Sequence, residues 1–344
     1  MVEPQTTVGD VKGPSLDTLE AILDINYTWG YEETRQQLRN LYTKARRGQW
    51  IPEDILPWET EVDLAKPNAP EHILPLYGSS IYANMAEEKR REINIEIFSW
   101  TLSQFLHGEQ GALLAAAQLV NSVPELDSKL YGSTQVVDEA RHVDVYNRYL
   151  QDKIGFLYPV NPHLKSLLDL ILKDSRWDLK FLGMQIMVEG LALSAFGMIR
   201  NYTTEPLLHK LTQYVMQDEA RHVAFGVLSL RDYYDSMSEK EVREREDFVY
   251  EAAVLMRDRF LYQEVWEKTG LPMKECMEIS LNNTGQIMFR QLLFSKIVPA
   301  IKKVGLLSNR QRERFHKLNI LQYEHWTDPE QEAIFAEVIA SPVA

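Results

Sequence analysis

The hexapeptide DEARHV occurs twice in the sequence, and the two copies lie 80 residues apart. Within each copy Glu and His are three positions apart, so a helix would project both side chains from one face. Glu139 and His142 form the first pair, and Glu219 and His222 form the second. Carboxylates and imidazoles are metal ligands, so the repeat suggests two similar halves of one site.

The spacing alone is a weak indication, because Glu313 and His316 share it among Arg and Gln neighbours, where we expect a solvated helix face. The two repeated pairs differ because each follows an isolated acid in an apolar segment. Glu109 lies in HGEQGALLAAA and Glu189 in MVEGLALSAFG, each 30 residues before the Glu of its own pair. The repeated unit is therefore two helices long.

The 30-residue spacing has a geometric meaning. Its midpoints are Pro124 and Thr204, which lie in NSVP and TTEP, two segments that interrupt the helical pattern. In an antiparallel helix hairpin, residues equidistant from the turn lie at the same height, here about 22 Å from it. Each hairpin thus places one Glu opposite a Glu and a His.

Two such hairpins packed face to face would bring four carboxylates and two imidazoles together in a bundle core. Buried carboxylates repel one another, and two cations would relieve that repulsion. This donor set suits iron or manganese better than structural zinc. Pairing of the acids with Arg141 and Arg221 is the alternative, but it leaves the recurring histidines unexplained. The candidate metal ligands are Glu109, Glu139, His142, Glu189, Glu219 and His222.

An Asp precedes the Glu of each motif, Asp138 in the first copy and Asp218 in the second. On a helix it points about 100° away from that Glu. There it could accept the free N–H of a ligand histidine. Pseudo-twofold symmetry predicts a crossed pairing, in which Asp218 orients His142 and Asp138 orients His222. Ordinary salt bridges to the arginine of each motif are the alternative.

Helical periodicity dominates from about residue 80 onward without strand-like alternation, so we predict an all-α fold. Residues 1–14 resemble a flexible tail, and 15–344 a single domain whose metal-binding four-helix core spans about 85–235. Thr204 is predicted to cap the helix whose first turn contains Pro206.

Composition narrows the possible functions. The 344 residues include 50 acidic and 37 basic ones, a net charge of -13, which argues against nucleic-acid binding. The single cysteine, Cys276, excludes an internal disulfide and favours the cytoplasm, and no secretory signal is visible. Residues 181–199 are apolar over a bilayer's length, but Glu189 at their centre predicts a buried core helix, and we expect no membrane association.

The full pattern, Glu followed about 30 residues later by DExRH, twice, resembles the ferritin-like di-iron carboxylate superfamily. It is similar to bacterial multicomponent monooxygenase hydroxylases, acyl-carrier-protein desaturases and the small subunit of class I ribonucleotide reductase. The resemblance implies a ferritin-like four-helix bundle core with additional flanking helices. It also implies two iron ions, or one manganese and one iron, with Glu139 and Glu219 bridging them.

The resemblance implies a function as well. Such a protein would activate O₂ to hydroxylate, desaturate or otherwise oxidise a small or lipid-like organic substrate, using an external electron donor. A homodimer is expected from the superfamily. Ferroxidation or iron storage is a less favoured alternative, because storage shells are built from shorter chains.

A radical-generating protein like the ribonucleotide reductase small subunit is the main alternative. Tyr146 follows His142 by four residues, and the radical tyrosine of that family lies at this position. The first ligand there is usually Asp, whereas this chain has Glu109. Tyr146 is thus a candidate catalytic residue, or a tyrosine that only packs beside the metals.

Two positions depart from related subtypes. Aryl N-oxygenases of the superfamily carry an extra ligand histidine four residues before the second ExxH Glu, and Val215 at that position argues against this subtype. Monooxygenases and desaturases often place a Thr one turn after the third ligand, where this chain has Leu193 followed by Ser194.

Small residues near the ligands suggest a substrate cavity. Ala112, Ala116 and Ala192 lie three or seven positions from the ligand glutamates, so their small side chains would leave apolar space beside the metals. Close helix packing is the alternative reason for alanine there. The predicted flanking residues are Leu113, Leu193, Phe196 and Phe225.

Overall fold

The computed structural model describes residues 17–64, 66 and 69–340, and the tail predicted at 1–14 lies outside this range. No strand occurs among the described residues, which confirms the all-α prediction. The helices are α1 Gln36–Arg47, α2 Pro52–Ile55, α3 Ser80–Ala83, α4 Glu87–Ser122, α5 Leu126–Tyr149, α6 Pro162–Lys173, α7 Trp177–Phe181, α8 Glu189–Tyr202, α9 Pro206–Leu230, α10 Glu239–Asp258, α11 Gln263–Lys268, α12 Met273–Asn282, α13 Thr284–Leu292, α14 Ile297–Lys303, α15 Asn309–Lys317 and α16 Pro329–Ala340.

Two antiparallel hairpins form the core, as the 30-residue spacing predicts. Helices α4 and α5 pack together and are joined by residues 123–125, and α8 and α9 are joined by residues 203–205. The predicted midpoints, Pro124 and Thr204, therefore both lie in the connections. Helices α5 and α9, which carry the two repeated motifs, also pack against each other.

The start of α9 differs from the prediction. Glu205, not Thr204, is the N-cap, because its carboxylate accepts hydrogen bonds from the backbone N–H groups of Leu207 and Leu208. Pro206 occupies the first helical position as predicted, where its missing N–H leaves no hydrogen bond unmade. A carboxylate at the cap also interacts favourably with the positive end of the helix dipole.

A widened, π-helical segment, Leu182–Val188, joins α7 to α8, so that Trp177–Tyr202 runs as one continuous element. Its seven residues are all buried. Such a segment inserts an extra residue per turn and so rotates the following side chains about the helix axis. Glu189 is the first residue after it, so the widened segment sets the direction of that carboxylate.

Of the described helices, Trp177–Tyr202 is the one long and apolar enough to cross a bilayer. Its most apolar 18-residue stretch is 78% buried inside the protein. This burial agrees with the prediction of a core helix, since such a helix is apolar on every side.

Helix α1 lies across the two motif-bearing helices. It packs on both α5 and α9, and α16 packs on α9 and α1 from the other end of the chain. Within the described residues the buried apolar side chains form one continuous cluster, from Leu38 in α1 to Val338 in α16. The residues that follow α1 are thereby brought against the polar side of the motifs.

Candidate metal centre

The structure brings all six candidate ligands together in the bundle core. They form two groups, within each of which one potential ligand atom per residue lies within 4.8 Å of the others. None is more than 5% exposed. The first group is Glu109, Glu139, His142 and Glu219, and the second is Glu139, Glu189, Glu219 and His222.

Glu139 and Glu219 belong to both groups, and each reaches both histidines. The oxygens of Glu139 lie 3.4 Å from Nδ1 of His142 and 3.1 Å from Nδ1 of His222. Those of Glu219 lie 3.1 and 3.5 Å from the same two nitrogens. Each carboxylate thus directs one oxygen toward each half of the cluster, the arrangement that a bridging ligand requires.

The donor atoms of the cluster fit a pair of cations. Both oxygens of Glu219, one oxygen each of Glu139 and Glu189, and Nδ1 of His222 are buried without a hydrogen-bond partner among the described residues. Buried polar atoms are almost always hydrogen-bonded, and leaving several carboxylate oxygens unsatisfied in one place is costly. Positive ions between them would satisfy these atoms together.

Protons and cations compete for this cluster. Burial, followed by repulsion from Glu219, raises the pKa of Glu109 and of Glu189 well above that of an ordinary glutamate. Burial alone would lower the histidine pKa values, but neighbouring carboxylates outweigh it and raise the pKa of both His142 and His222. These four ligands therefore carry protons at a higher pH than usual, and a bound cation must displace them.

The second nitrogen of each histidine faces an aspartate of the opposite hairpin. Nε2 of His142 lies 3.1 Å from Asp218, and Nε2 of His222 lies 3.3 Å from Asp138. This is the crossed pairing that the pseudo-twofold symmetry predicts. An aspartate that accepts the Nε2–H leaves Nδ1 unprotonated and turned toward the glutamates.

The salt bridges considered as the alternative are present at the same time. Arg141 contacts both Asp138 and Asp218, the latter at 3.0 Å, and Arg221 contacts the same two aspartates. Two arginines thus face two aspartates behind the histidines. Burial opposes ionisation of Asp218, but His142 and Arg221 outweigh it and hold its pKa below the usual range.

Two residues after α1 complete this polar layer, and nothing in the repeated motifs points to them. Gln49 donates to Asp138 at 2.7 Å and accepts from Arg141 at 2.8 Å. The indole N–H of Trp50 donates to Asp218 at 2.8 Å, and the Arg141 guanidinium lies over the Trp50 ring, 4.7 Å from its centroid. The aspartates are therefore held from α5, from α9 and from the segment that follows α1.

Gln135 is another site residue to which the repeated motifs do not point. Its amide N–H₂ donates to Glu189 at 2.8 Å and to Glu139 at 3.1 Å, so it ties the two hairpins together at the ligands. It lies four residues before Glu139, and the equivalent position before Glu219 is Val215, which is fully buried. This inner position is therefore polar in one half of the site and apolar in the other.

Two buried tyrosines flank the cluster. Tyr146 is fully buried, its hydroxyl has no hydrogen-bond partner among the described residues, and burial followed by the charge of Glu109 raises its pKa. Tyr131 has the same burial and the same unpartnered hydroxyl, and it lies on the side of His222. The position equivalent to Tyr146 in the second motif is Gly226, where an added Cβ would lie 2.7 Å from Gln185.

A small cavity of about 20 Å³ adjoins the ligands Glu109, Glu189 and Glu219. Ala112 and Ala192 line it, as the small-residue argument predicts. The other predicted pocket residues do not line it. They are Ala116, Leu113, Leu193, Phe196 and Phe225.

Aromatic packing explains the position of both phenylalanines. Phe225 packs on Tyr131 and Phe181, and Phe196 packs on Tyr146 and Phe105. These rings fill the space on either side of the ligands instead of leaving it open.

A larger apolar cavity of about 100 Å³ lies next to the small one, and Phe105 lines both. Phe105 is almost fully buried, with its ring 4.7 Å from that of Phe196 in an edge-to-face arrangement. The larger cavity is lined by Ala69, Ile73, Leu74, Pro75, Asn94, Ile97, Phe98, Thr101, Ala195, Met198, Ile199, Tyr202, Tyr262, Gln286 and Phe289 as well. None of the predicted pocket residues lines this larger cavity.

The third ExxH pair is at the surface. Glu313 and His316 are both exposed on α15, in agreement with the solvated face expected for them.

Comparisons with known proteins bear on this site. The family model described as p-aminobenzoate N-oxygenase AurF matches residues 31–305. Among solved structures, a tyrosine-to-phenylalanine variant of an R2-like ligand-binding oxidase with an aerobically reconstituted Mn/Fe cofactor is 18% identical, with 81% of this chain and 95% of that chain covered and a TM-score of 0.51. An R2-like ligand-binding oxidase with an aerobically reconstituted metal cofactor after photoconversion has the same identity and coverage and a TM-score of 0.48. Comparison with curated proteins gives no match. The structural likeness shows the fold, a ferritin-like helical bundle.

Proposed function

This chain belongs to the p-aminobenzoate N-oxygenase AurF family, and from that premise we propose that it uses a buried metal pair and O₂ to oxidise a small, largely apolar organic substrate. In its coarser form, a di-metal, O₂-dependent oxidoreductase, this follows from the family and the buried cluster. The observation that carries the proposal is the pair of ligand groups that share Glu139 and Glu219. Val215 occupies the position of the extra histidine ligand expected of aryl N-oxygenases, but the chain belongs to this family nonetheless, so Val215 does not exclude the family.

When bound, two iron ions, or one manganese and one iron, would supply the redox electrons and open coordination positions that O₂ chemistry needs. The residues of this chain have separate tasks around them. Four glutamates and two histidines would hold the ions, with Glu139 and Glu219 shared between them. Asp138 and Asp218 orient the histidines, and Gln135 positions two of the carboxylates.

The residues around the metal ligands also exclude water from them. The ligands are at most 5% exposed, and the small cavity beside them is lined by apolar residues, among them Phe105, together with Gln104 and the buried Arg259. A low-dielectric site strengthens the interactions between charges inside it and limits side reactions with water. An apolar substrate body would fit the larger cavity beyond Phe105, which supports a small organic substrate over a large polar one.

Oxidation of a substrate by O₂ also requires partners beyond the metals. Insertion of one oxygen atom from O₂ into a substrate, with the other leaving as water, needs two further electrons, so we propose an external electron donor. A lipid-like substrate, a homodimer and a cytoplasmic location belong to the same proposal. The location is supported by the single cysteine, Cys276, which is free and buried.

Metal analysis combined with oxygen consumption tests this function. Purified protein supplied with Fe(II) or Mn(II) should retain about two metals per chain and consume O₂ when a reductant is added. Glu139→Ala should lose metal and oxygen consumption together, because Glu139 belongs to both groups. Glu313→Ala removes the Glu of the exposed ExxH pair and should change neither, so it is the matched control. A wild-type protein that binds no metal would refute the proposal.

A second candidate function is a radical-generating protein with Tyr146 as the radical site. It is favoured by the unpartnered Tyr146 hydroxyl, which lies close enough to Glu109 and His142 for their charges to act on it. Electron spin resonance after addition of Fe(II) and O₂ should then show a tyrosyl signal that Tyr146→Phe abolishes. A signal that persists in Tyr146→Phe but disappears in Tyr131→Phe would move the radical to the other tyrosine. No signal at all would remove this candidate.

A further inference from the structure

A further cavity, of about 200 Å³, lies between α10, α13 and α15. It is larger than the apolar cavity near the metal centre, and none of the described residues lines both. On one face of α13, Gln286 and Phe289 line the apolar cavity. On another face, Ile287, Arg290 and Gln291 line the further one. The further cavity is therefore a separate space that the proposed oxidation does not use.

Among the described residues, three basic side chains and no acidic one line this cavity, which we call the basic cavity. They are Arg257 of α10, Arg290 of α13 and Lys317 at the end of α15. This excess is informative because acidic residues outnumber basic ones 50 to 37 in the whole chain. A lining that followed the composition would contain acids as well, so the cluster favours an anionic ligand.

Arg290 is the buried member of the cluster. It is 6% exposed and donates to the backbone carbonyl oxygens of Ser280 and Leu281 in the last turn of α12, at 3.0 and 2.7 Å. These bonds give it a structural role, but they use only two of the five N–H groups of a guanidinium. Burial lowers the pKa of Arg290, and the positive charge of Arg257 acts in the same direction, so the two arginines are close enough to repel each other.

The acids of the described chain do not balance this cluster. Arg257 is half-buried and pairs with Asp258, through Nε at 2.7 Å and Nη2 at 3.1 Å. Neither Arg290 nor the exposed Lys317 forms an ion pair with any described acid. Three positive charges thus face one negative charge, which leaves an excess of two. A phosphate monoester carries nearly that charge at neutral pH.

Apolar side chains form most of the remaining lining. Phe294 is buried, whereas Leu281 and Ile287 are 47% and 37% exposed. Two exposed apolar side chains beside one cavity offer a contact surface for an organic group. Gln291 and Asn319 also line the cavity, and their side-chain amides form no hydrogen bond with any described residue. The cavity thus combines cations, free amides and an apolar wall.

We propose that the basic cavity binds a soluble phosphate monoester with a small apolar organic group. The phosphate would lie between Arg257, Arg290 and Lys317. The organic group would contact Leu281 and Ile287. A phosphate offers three strong acceptor oxygens and a double negative charge, so it can accept hydrogen bonds from all three cations together. A carboxylate, with one charge and two oxygens, would leave part of the positive charge unbalanced.

Binding of matched anions to metal-loaded protein tests the proposal. Phenyl phosphate is a dianion at about pH 8, phenyl sulfate is a monoanion of nearly the same shape, and inorganic phosphate lacks the organic group. Calorimetry gives the three affinities. Phenyl phosphate should bind at least about tenfold more tightly than phenyl sulfate, the effect of one further hydrogen bond between charged groups. It should also bind more tightly than inorganic phosphate, because the apolar wall contributes.

Two variants locate the site. Arg257→Gln and Lys317→Gln each remove one exposed or half-buried charge and should each weaken phenyl phosphate binding about 5- to 10-fold. They are chosen over changes at Arg290, whose bonds to α12 would make its removal a test of folding as well. Arg243→Gln is the matched control on α10, since Arg243 is exposed, pairs with Glu239 and does not line the cavity. It should bind phenyl phosphate like the wild type.

Metal ions can also bind phosphate, so metal content and oxygen consumption are measured on the same preparations. Both variants should keep the wild-type values, because neither residue lines the cavity beside the metal ligands. Phenyl phosphate held by the metals would bind equally to Arg257→Gln, Lys317→Gln and the wild type, and that result would overturn the proposal.

Vesicles distinguish a soluble ester from a lipid headgroup. Phosphatidylcholine vesicles that contain phosphatidic acid present the same phosphate monoester at a membrane surface, and the protein should stay in solution when they are sedimented. Sedimentation with the vesicles that Arg257→Gln abolishes would assign the cavity to a lipid instead and overturn the proposal. Equal affinities for phenyl phosphate and phenyl sulfate, or no binding of either, would also overturn it. The proposed function would stand in each case, because it depends on the metals.

Discussion

Replacement of Asp218 by Asn removes one charge from the polar layer behind the histidines while keeping the size of the side chain. Asp218 contacts Nε2 of His142 at 3.1 Å and accepts hydrogen bonds from Trp50 at 2.8 Å and from Arg141 at 3.0 Å, and it also contacts Arg221. An amide has one accepting oxygen where the carboxylate has two, so it cannot accept from all of these donors, and as a neutral group it orients His142 less strongly.

Two effects of different size follow. Loss of a partner that orients a metal-ligating histidine typically weakens metal binding about 10- to 100-fold, or about 1.4–2.8 kcal/mol. The arginine side chains are only 9% and 6% exposed, so the broken network is a buried one. Removal of one partner from a buried charge network costs about 3–5 kcal/mol of folding free energy.

Metal titration of metal-free protein separates these effects from each other. Asp218→Asn should weaken binding of the metal beside His142 more than binding of the other metal. Asp138→Asn should do the reverse, because the pairing of aspartates and histidines is crossed. Asp144→Asn, an exposed aspartate on the same helix as His142, is the control and should change neither affinity. Urea unfolding of the metal-free variants gives the change in the free energy of unfolding. A folded Asp218→Asn variant with wild-type affinity at both sites would refute the proposed role of the aspartates.

Three further predictions concern pH, packing and capping. Because the pKa values of Glu109 and Glu189 are raised in the folded metal-free protein, their contribution to stability is full below about pH 4, the ordinary range of Glu, and is lost as the pH rises through the raised values. Urea unfolding should therefore show that the metal-free protein loses stability as the pH rises, while metal retention after dialysis increases. The opposite trends would contradict this prediction. Gly226→Ala should lower the free energy of unfolding by about 1–3 kcal/mol, because the new Cβ would lie 2.7 Å from that of Gln185, and an unchanged urea midpoint would show that the helices separate easily. Glu205→Ala should cost about 1 kcal/mol in the same assay, because two backbone N–H groups lose their acceptor, and no change would mean that water replaces the cap.

The register of both hairpins is predictable from the sequence, because a fixed rise per residue converts the 30-residue spacing into equal heights. The crossed pairing of aspartates and histidines follows from the same symmetry, since two copies of one motif face each other. The cap of α9 is less determined, because Thr204 and Glu205 both offer an oxygen and only the backbone geometry selects between them.

Other features leave no periodic signal. The widened segment Leu182–Val188 is buried on every side, so an extra residue per turn does not disturb an apolar pattern that is already uniform. Gln135 could have been noticed one turn before Glu139, but its second contact, Glu189, lies on the other hairpin. Arg259, which lines the small cavity, comes 37 residues after His222, and its position depends on the packing of α10 against other elements, the widened segment among them.

The most direct measurement of the central claim is anomalous X-ray diffraction at the iron and manganese absorption edges from crystals of metal-loaded protein. Two peaks should appear in the bundle core, one beside Nδ1 of His142 and one beside Nδ1 of His222, with Glu139 and Glu219 contacting both. A single peak, peaks elsewhere in the chain, or none at all would contradict a two-metal site built from two halves.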